Sequence, residues 1–512
     1  MTDPRVVVVG GGLGGLATAA RLAADGRPVT LLEQADRVGG KLGTVEVDGF
    51  RFDTGPSLVT MPPVLERLFA DTGAPLRDVL DLQRLAVATR YRFGDGVQLD
   101  LPGDRAATGP ALDDALGGGA GAQWEAFLAH AERVWHATHE HFLESPVSPA
   151  GLARLSLRVR DLAAVAPWRS LRGVGARYLR DERLGMLLDR YATYSGSDPR
   201  RAPAALAVVP YVEQQFGSWY VRGGLRRLAD AVADRCRALG VDIRTGTRVT
   251  GIDVTGGRVR GVRTADGPVP AGVVVANADA ATVYGELLPS GVARAARWRL
   301  ARTTPSSSGF VLLLGLDGRD RETQRSGARP AGPATPHHRV LFPPSRAAYD
   351  AEFDAYRGTA PAAAPTVYVH APDDPALRPD EDSEAWFVLV TAPRHDPGHG
   401  VDWDAPGLAQ RYAERVLALM ADRGVDVRHR VRRCVVRTPA DLERETLSPG
   451  GSIYGTSSDG ALAAFLRPAN RSPIDGLYLV GGSSHPGGGL PLVTLSAEIT
   501  ARLVLRERSL GL

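Results

Sequence analysis

An α/β fold is predicted: a parallel sheet with a glycine-rich turn near each end of the chain and two further lobes inserted between them. Three observations predict it. Four valines, 6–9, run straight into Gly10-Gly11-Gly12-Leu13-Gly14-Gly15. A second apolar run, 477–480, leads into Gly481, Gly482, His485 and Gly487 to Gly489, followed by Leu490 and Pro491. Between them the text changes character twice, first to Ala-, Leu- and Arg-rich helical sequence and later to strand-like runs broken by proline.

The first element is a short βαβ unit: a buried strand (6–9), a helix (14–24) and a second strand (29–33). Gly10, Gly12 and Gly15 fit G-x-G-x-x-G, with Leu13 and Gly14 inside the turn, and Ala17 and Ala19 keep the helix thin enough to lie close to the sheet. Glycine is required where backbone must touch a pyrophosphate. Glu33 falls at the tip of the second strand, where a carboxylate can accept hydrogen bonds from a ribose 2′-hydroxyl. This unit alone fits NAD or FAD.

The continuation separates them. Gln34, Arg37, Val38, Gly39, Gly40 and Lys41 follow directly, and Phe52-Asp53-Thr54-Gly55-Pro56-Ser57 comes next. A diglycine flanked by two cations offers close backbone approach and a second set of contacts to a pyrophosphate and ribityl chain, for which an NAD dehydrogenase has no need. FAD is the expected cofactor.

From about 100 to 215 the sequence reads as an inserted helical lobe. Arg158, Arg160, Arg169, Arg172, Arg177 and Arg180 are interleaved there with Leu171, Val174 and Trp168. A basic, apolar, Trp-bearing segment suits an in-plane membrane contact, with Arg169 and Arg172 facing the lipid, and equally suits an amphipathic cover over a core. Sheet text resumes at 216–300, where short strands around 249–254 and 259–264 form a meander. Val249 at its start, and Asn277 after the buried run 273–276, are candidate cofactor contacts at the carboxyl ends of strands. A second insertion, 301–444, reads as a mixed α+β substrate domain. The cofactor domain is therefore expected in three pieces, 1–99, 216–300 and 445–512.

In the last piece, Pro491 is placed to open a helix over about 492–506, its first free amides being those of Leu492 and Val493. Such a helix start would favour an anionic reduced flavin at its N1 and C2 carbonyl. Gly482, Gly489 and Leu490 complete the cofactor contacts. His485 is the nearest titratable group and a candidate for catalysis, or a turn histidine bonded to backbone.

Composition excludes several classes. The 512 residues carry 61 basic and 58 acidic side chains, a net charge of +3, so there is no general affinity for nucleic acid. Lys41 is the only lysine, which removes lysine chemistry elsewhere. Two cysteines are too few for a disulfide framework or a thiolate metal site and point to a reducing cytoplasm. No run of 18 uncharged apolar residues or signal peptide is evident. His136, His139 and His141 do not converge on one helix face, so no metal is expected.

Gly10 to Gly15, Arg37 to Lys41, Phe52 to Pro56, the run Arg190-Tyr191-Ala192-Thr193-Tyr194-Ser195-Gly196-Ser197, Gly217 to Gly224, Tyr454-Gly455 and Tyr478 to Pro491 together resemble the bacterial-type phytoene desaturases. These are the FAD-dependent carotenoid desaturases and isomerases of the amine-oxidase-like superfamily. Generic flavin amine oxidases commonly carry an acidic residue where this chain has Gly482. The resemblance implies a Rossmann-like FAD-binding domain of the GR2 type, a long polyene substrate and removal of two hydrogens as a hydride and a proton. It also implies oxygen or a quinone as electron acceptor, and the tail text is closer to late-pathway 3,4-desaturases. A substrate of tens of carbons, at roughly 0.8 kcal/mol per CH₂, must come from a bilayer, so peripheral attachment to the inner face of the cell membrane is expected. Three alternatives stay open: a polyene isomerase or saturase, an amine-oxidase-like enzyme on a polar substrate, and a carrier without cofactor.

Overall fold

The computed structural model of the protein describes residues 5–147, 159–319, 336–460 and 463–509. Its cofactor half is organised by a five-stranded parallel sheet in the order Leu477–Leu479, Val273–Ala276, Val6–Val9, Val29–Leu32, Asp242–Arg244. Both faces of such a sheet are covered, which is why Val6–Val9 is apolar without alternation. Val6 and Val8 pack with Leu16, Ala20, Leu228 and Ala497 from the three helices Leu13–Ala24, Arg226–Ala238 and Leu490–Ser509. Val7 and Val9 pack on the opposite face with Val249, Ile252 and Val262 of the antiparallel meander Val249–Thr255, Arg258–Thr264, Gly267–Pro270.

The substrate half is built on a seven-stranded sheet in the order Val431–Arg437, Ser308–Asp317, Ser383–Ala392, Val367–His370, His338–Leu341, Val87–Arg92, Gln98–Pro102. All neighbours are antiparallel except His338–Leu341 and Val87–Arg92. One face, with Leu312, Leu314 and Val388, packs on Tyr412, Val416 and Met420 of helix Leu408–Asp422. Tyr91 and Phe342 instead join Trp124, Phe127 and Leu187 of the helical lobe in one core.

Two expectations need correction here. The strands Val87–Arg92 and Gln98–Pro102 lie within the stretch 1–99 expected in the cofactor domain, or across its end, yet they extend the substrate sheet. Short alternating strands carry no local mark of the sheet they will join, and the partner His338–Leu341 is remote in sequence. The basic segment is not uniformly turned outward either. Arg158 lies outside the described residues, and Val165, Leu171 and Val174 are buried. Arg172 bonds to Asp189, of which 1 % is exposed, and to Asp350, so it faces the protein and not a lipid. Arg160, Arg169, Arg177, Arg180 and Trp168 are exposed.

Candidate active site

Both glycine turns leave the same end of the parallel sheet, because Val6–Val9 and Leu477–Leu479 flank Val273–Ala276. Asn277, directly after that middle strand, stands between them, its main-chain N–H donating to Val9 O at 2.8 Å. With its amide oriented to satisfy both ends, the side chain accepts from Gly12 N and Gly15 N, each at 3.2 Å, and donates to Val480 O at 3.3 Å. One side chain thereby pins the amino-terminal turn to the strand that carries the carboxyl-terminal one. The turn permits nothing but glycine at its ends: Gly10 has φ +95°, and a Cβ on Gly15 would stand 2.1 Å from Gly10 O. Gly14 presses on the same amide, and Leu13 is buried at the helix start.

Glu33 lies where expected. One carboxylate oxygen accepts from Gly11 N at 2.6 Å and the other from Ala35 N at 2.9 Å, leaving lone pairs for a ribose. Gly39 N donates to Gly11 O at 2.8 Å, so the diglycine loop is laced to the first turn. Arg226, which local sequence did not single out, braces that loop by donating to Val38 O at 2.5 Å, and Asp53 caps its helix by accepting from Leu225 N at 2.6 Å. A Cβ on Gly40 would stand 3.2 Å from Gly12 Cα, and one on Gly55 would stand 1.9 Å from Lys41 O. Arg37 is directed at Thr44, its guanidinium 2.6 Å from Thr44 O, and Gln34 donates to Glu445 O at 3.3 Å. Val249 is buried at the head of the meander.

Lys41 reaches across the chain, donating from Nζ to Ile453 O at 2.6 Å. Burial pushes its ammonium down and Asp279 holds it up, although the side chain stays open to solvent. Arg467 lies close by, beside the same Asp279. It donates to Gly482 O at 2.6 Å, Thr456 O at 2.7 Å and Tyr454 O at 3.1 Å, and burial brings its guanidinium down to about 10 against the pull of Asp279. Neither Asp279 nor Arg467 was assigned a role from sequence.

The carboxyl-terminal helix opens at Leu490, two residues earlier than expected, with Pro491 in its first turn. Val493 N is consequently bonded to Gly489 O at 2.9 Å inside the helix, and the outward amide is that of Leu492. Gly489 is exposed, with nothing within 4 Å of where its Cβ would be. These residues fit FAD: two glycine turns free of side chains, a carboxylate for the ribose, and an open helix start for the ring.

His485 does not join them. It is fully buried, its Nε2 lies 3.0 Å from Ser145 O, and its ring meets Phe142 edge-on at 5.0 Å. Burial pushes its imidazole down to about 4, and with Nε2 engaged by the helical lobe it is a neutral clip between turn and lobe. His139 likewise stacks on Trp135 at 4.8 Å.

Ser57 Oγ is hydrogen-bonded to Tyr368 Oη, which belongs to a cluster of tyrosines gathered around Arg190. Arg190, at the end of helix Glu182–Arg190, donates to Tyr194 Oη at 2.7 Å and Tyr91 Oη at 3.3 Å. Its guanidinium stands over the rings of Tyr194, Tyr91 and Tyr368 at 5.0, 5.6 and 5.7 Å. Glu213 accepts from Tyr191 Oη at 2.7 Å and supplies the opposing charge from behind. Burial alone would lower Arg190, and the tyrosine oxygens and Glu213 more than reverse it. Tyr194, Tyr368 and Leu492, the last at the carboxyl-terminal helix start, border one apolar cluster. The run Arg190-Tyr191-Ala192-Thr193-Tyr194 was legible only as a resemblance; its spacing of four puts Arg190 and Tyr194 on one helical face.

The profile of the flavin-containing amine oxidoreductases matches residues 13–386. A 4,4′-diapolycopene oxygenase of Methylomonas sp is 34 % identical over 99 % of both chains. A 1-hydroxycarotenoid 3,4-desaturase of Flavobacterium sp. is 29 % identical over 98 % of this chain and 99 % of that one. Among solved structures, cyclohexylamine oxidase of Brevibacterium oxydans superposes with a TM-score of 0.62 at 15 % identity, covering 99 % of this chain and all of that one, a likeness of fold.

Proposed function

The chain belongs to the flavin-containing amine oxidoreductase family, in its bacterial carotenoid-desaturase branch, and we propose that it forms a carbon–carbon double bond beside the oxygen-bearing end of a carotenoid. FAD, when bound, supplies the two-electron oxidant that takes a hydride from the substrate. The protein's part is to exclude water, hold the polyene and place one bond over the cofactor.

The observation that carries the choice of substrate is Arg190. A buried guanidinium is costly in a site meant for a pure hydrocarbon, whereas a hydroxyl or carbonyl on the polyene end accepts a charge-assisted hydrogen bond from it. The name of the Flavobacterium relative describes such a molecule, with a hydroxyl one carbon away from the bond that is oxidised. A polar amine substrate fits less well, because the sole lysine is bonded to Ile453 O.

The test compares a 1-hydroxylated polyene with its hydrocarbon parent. Arg190→Met is expected to lower kcat/KM for the hydroxylated substrate by roughly 10- to 100-fold, the loss of one hydrogen bond to a charged group, and to leave the parent within about threefold. Equal losses on both would overturn the reading.

Delivery from a bilayer remains part of the proposal. Trp168, 66 % exposed, stands among exposed Arg160, Arg169, Arg177 and Arg180, an aromatic anchor in a basic rim suited to anionic lipid on the inner face of the membrane. No helix among the described residues is long and apolar enough to cross a membrane. Trp168→Ala with Arg169→Glu is expected to reduce co-sedimentation with anionic liposomes several-fold, and unchanged sedimentation would rule this face out. An acceptor quinone would be met in the same bilayer, with oxygen the alternative from water.

A further inference from the structure

Removing a hydride from a polyene leaves a carbocation that must still lose a proton, and the titratable cofactor contacts are engaged elsewhere: Lys41 donates to Ile453 O, His485 is bonded to Ser145 O, and Glu33 accepts from Gly11 N and Ala35 N. The substrate sheet holds a chain of groups that could take it. Strands His338–Leu341 and Val367–His370 pair with His338 directly opposite His370. In an antiparallel pair, opposite residues and every second residue share a face, so His338, His370 and Tyr368 all lie on one side. The two imidazoles stack at 4.8 Å between centroids, 12° from parallel. Tyr368 Oη lies 2.7 Å from His338 Nδ1 and is hydrogen-bonded on its other side to Ser57 Oγ.

Ser57 directly follows the Gly55-Pro56 turn of the cofactor site, and Tyr368 is only half-buried, within 5.7 Å of Arg190. The outer end of the chain therefore lies beside Arg190, where the proposed function places the oxygen-bearing end of the substrate. The inner end is sealed. His338 and His370 are 0 % and 2 % exposed, and the Nε2 atom of each has no hydrogen-bond partner among the described residues. Two buried histidines so under-satisfied stabilise nothing by themselves, which marks them as functional candidates.

We propose that Ser57, Tyr368 and His338 form the relay that accepts the proton released during desaturation. As the bonding pair of the second C–H becomes the new C=C bond, its proton passes to Tyr368 Oη, while that oxygen's own proton moves to His338 Nδ1. The hydride and its electron pair leave separately, to FAD as two-electron oxidant, so charge and atoms balance, and before the next turnover the proton on His338 returns through Tyr368 Oη to Ser57 Oγ, the partly exposed end of the chain, and out to solvent. Burial, then His370, His337 and Arg190, disfavour the charged form of His338, and in its Nε2–H tautomer Nδ1 is free to accept. A weak base suffices, since a polyenyl cation is a far stronger acid than an imidazolium. Tyr368 is here a proton carrier and His338 a group that acts through it.

This rests on the desaturase reading, so one arm of the test needs no turnover. In holoenzyme carrying ring-¹⁵N histidine, with the signal assigned by His338→Gln, the relay requires the neutral Nε2–H tautomer and a hydrogen-bonded Nδ1. Tyr368→Phe is expected to shift that Nδ1 resonance, and an Nδ1–H tautomer would overturn the relay. In anaerobic single turnovers Tyr368→Phe and His338→Gln should each slow product formation by about 100-fold with flavin content unchanged and KM within about threefold. The double variant should be no slower than either, as expected of groups acting as a unit. Near-wild-type rates in both single variants would overturn the relay alone, whereas a wild-type enzyme inactive on every carotenoid would overturn the desaturase reading.

Discussion

The cofactor half and the substrate half of this protein are held together by different means. Around the two glycine turns nearly every contact has a backbone atom on at least one side: Gly39 N to Gly11 O, Asn277 N to Val9 O, Lys41 Nζ to Ile453 O, Arg467 to Gly482 O. In the substrate half the contacts that matter join side chain to side chain, Arg190 to Tyr194, Tyr191 to Glu213, Tyr368 to His338. Backbone contacts demand the absence of a side chain, and so leave a mark in local sequence as glycine. Side-chain networks are assembled from whichever distant segments the topology brings together, and mark no single stretch.

If that contrast is right, a methyl group should be catastrophic in one half and an altered charge in the other. Gly15→Val gives the largest effect expected. Its Cβ would fall 2.1 Å from Gly10 O, a clash of backbone against side chain that no rotamer relieves. Purified protein should carry essentially no flavin, read as the loss of absorbance near 450 nm relative to 280 nm, and a yellow variant would break the contrast at once. The next largest is Arg172→Glu in the substrate half. It removes a guanidinium from Asp189, which is 1 % exposed, and adds a carboxylate beside Asp189 and Asp350. Arg346 remains on Asp189. A loss of about 3 kcal/mol in denaturant unfolding is expected, with the flavin contacts untouched.

What could be read in advance follows the same division. Gly10, Gly12, Gly15, Gly39, Gly40 and Gly55, singled out in the text, all stand at points of close approach in the structure, a demand that falls on neighbouring residues and so shows in local sequence. The meeting of both termini followed from two strand-turn patterns. The failures came where the decisive partner is remote. Val87–Arg92 looks like any half-buried strand, and only His338–Leu341 decides its sheet. Arg172 looked like its exposed neighbours until Asp189 and Asp350 were brought to it. His485 sits in the most distinctive run of the chain, yet what decides its role is Ser145 O. The opening of the last helix at Leu490 rather than Leu492 shifted the free amide by one turn position, a difference below what propensity resolves.

Asn277 tests a place where the cofactor half relies on a side chain. Asn277→Ala leaves Gly12 N, Gly15 N and Val480 O without that partner. About 2 kcal/mol is expected, from buried groups left unsatisfied, and it should appear as FAD affinity weakened by roughly tenfold or more, because the two turns lose their pin. Titration of the apoprotein with FAD measures it. An affinity within about twofold of wild type would mean that the strands alone set the spacing of the turns.

The smallest effect is a dependence on pH that belongs to the substrate half. Glu352, buried under strand Val367–His370, accepts from Thr366 N at 2.8 Å and Thr366 Oγ1 at 2.6 Å. Burial raises its carboxyl from 4.5 to about 7, against the pull of Thr366 and Arg423. An acid whose folded value is raised binds its proton more tightly when folded, so its contribution to stability is complete below 4.5 and is lost as pH rises through about 7. Between about pH 6 and pH 8 the loss amounts to about 1 kcal/mol. Glu352→Gln keeps the uncharged shape at every pH and should flatten that part of the profile, so that its unfolding midpoint falls less than wild type's over the interval. Parallel profiles would show that the carboxylate finds compensation when ionised, with Arg423 the nearest candidate, and that charge in this half is better buffered than the side-chain contacts suggest.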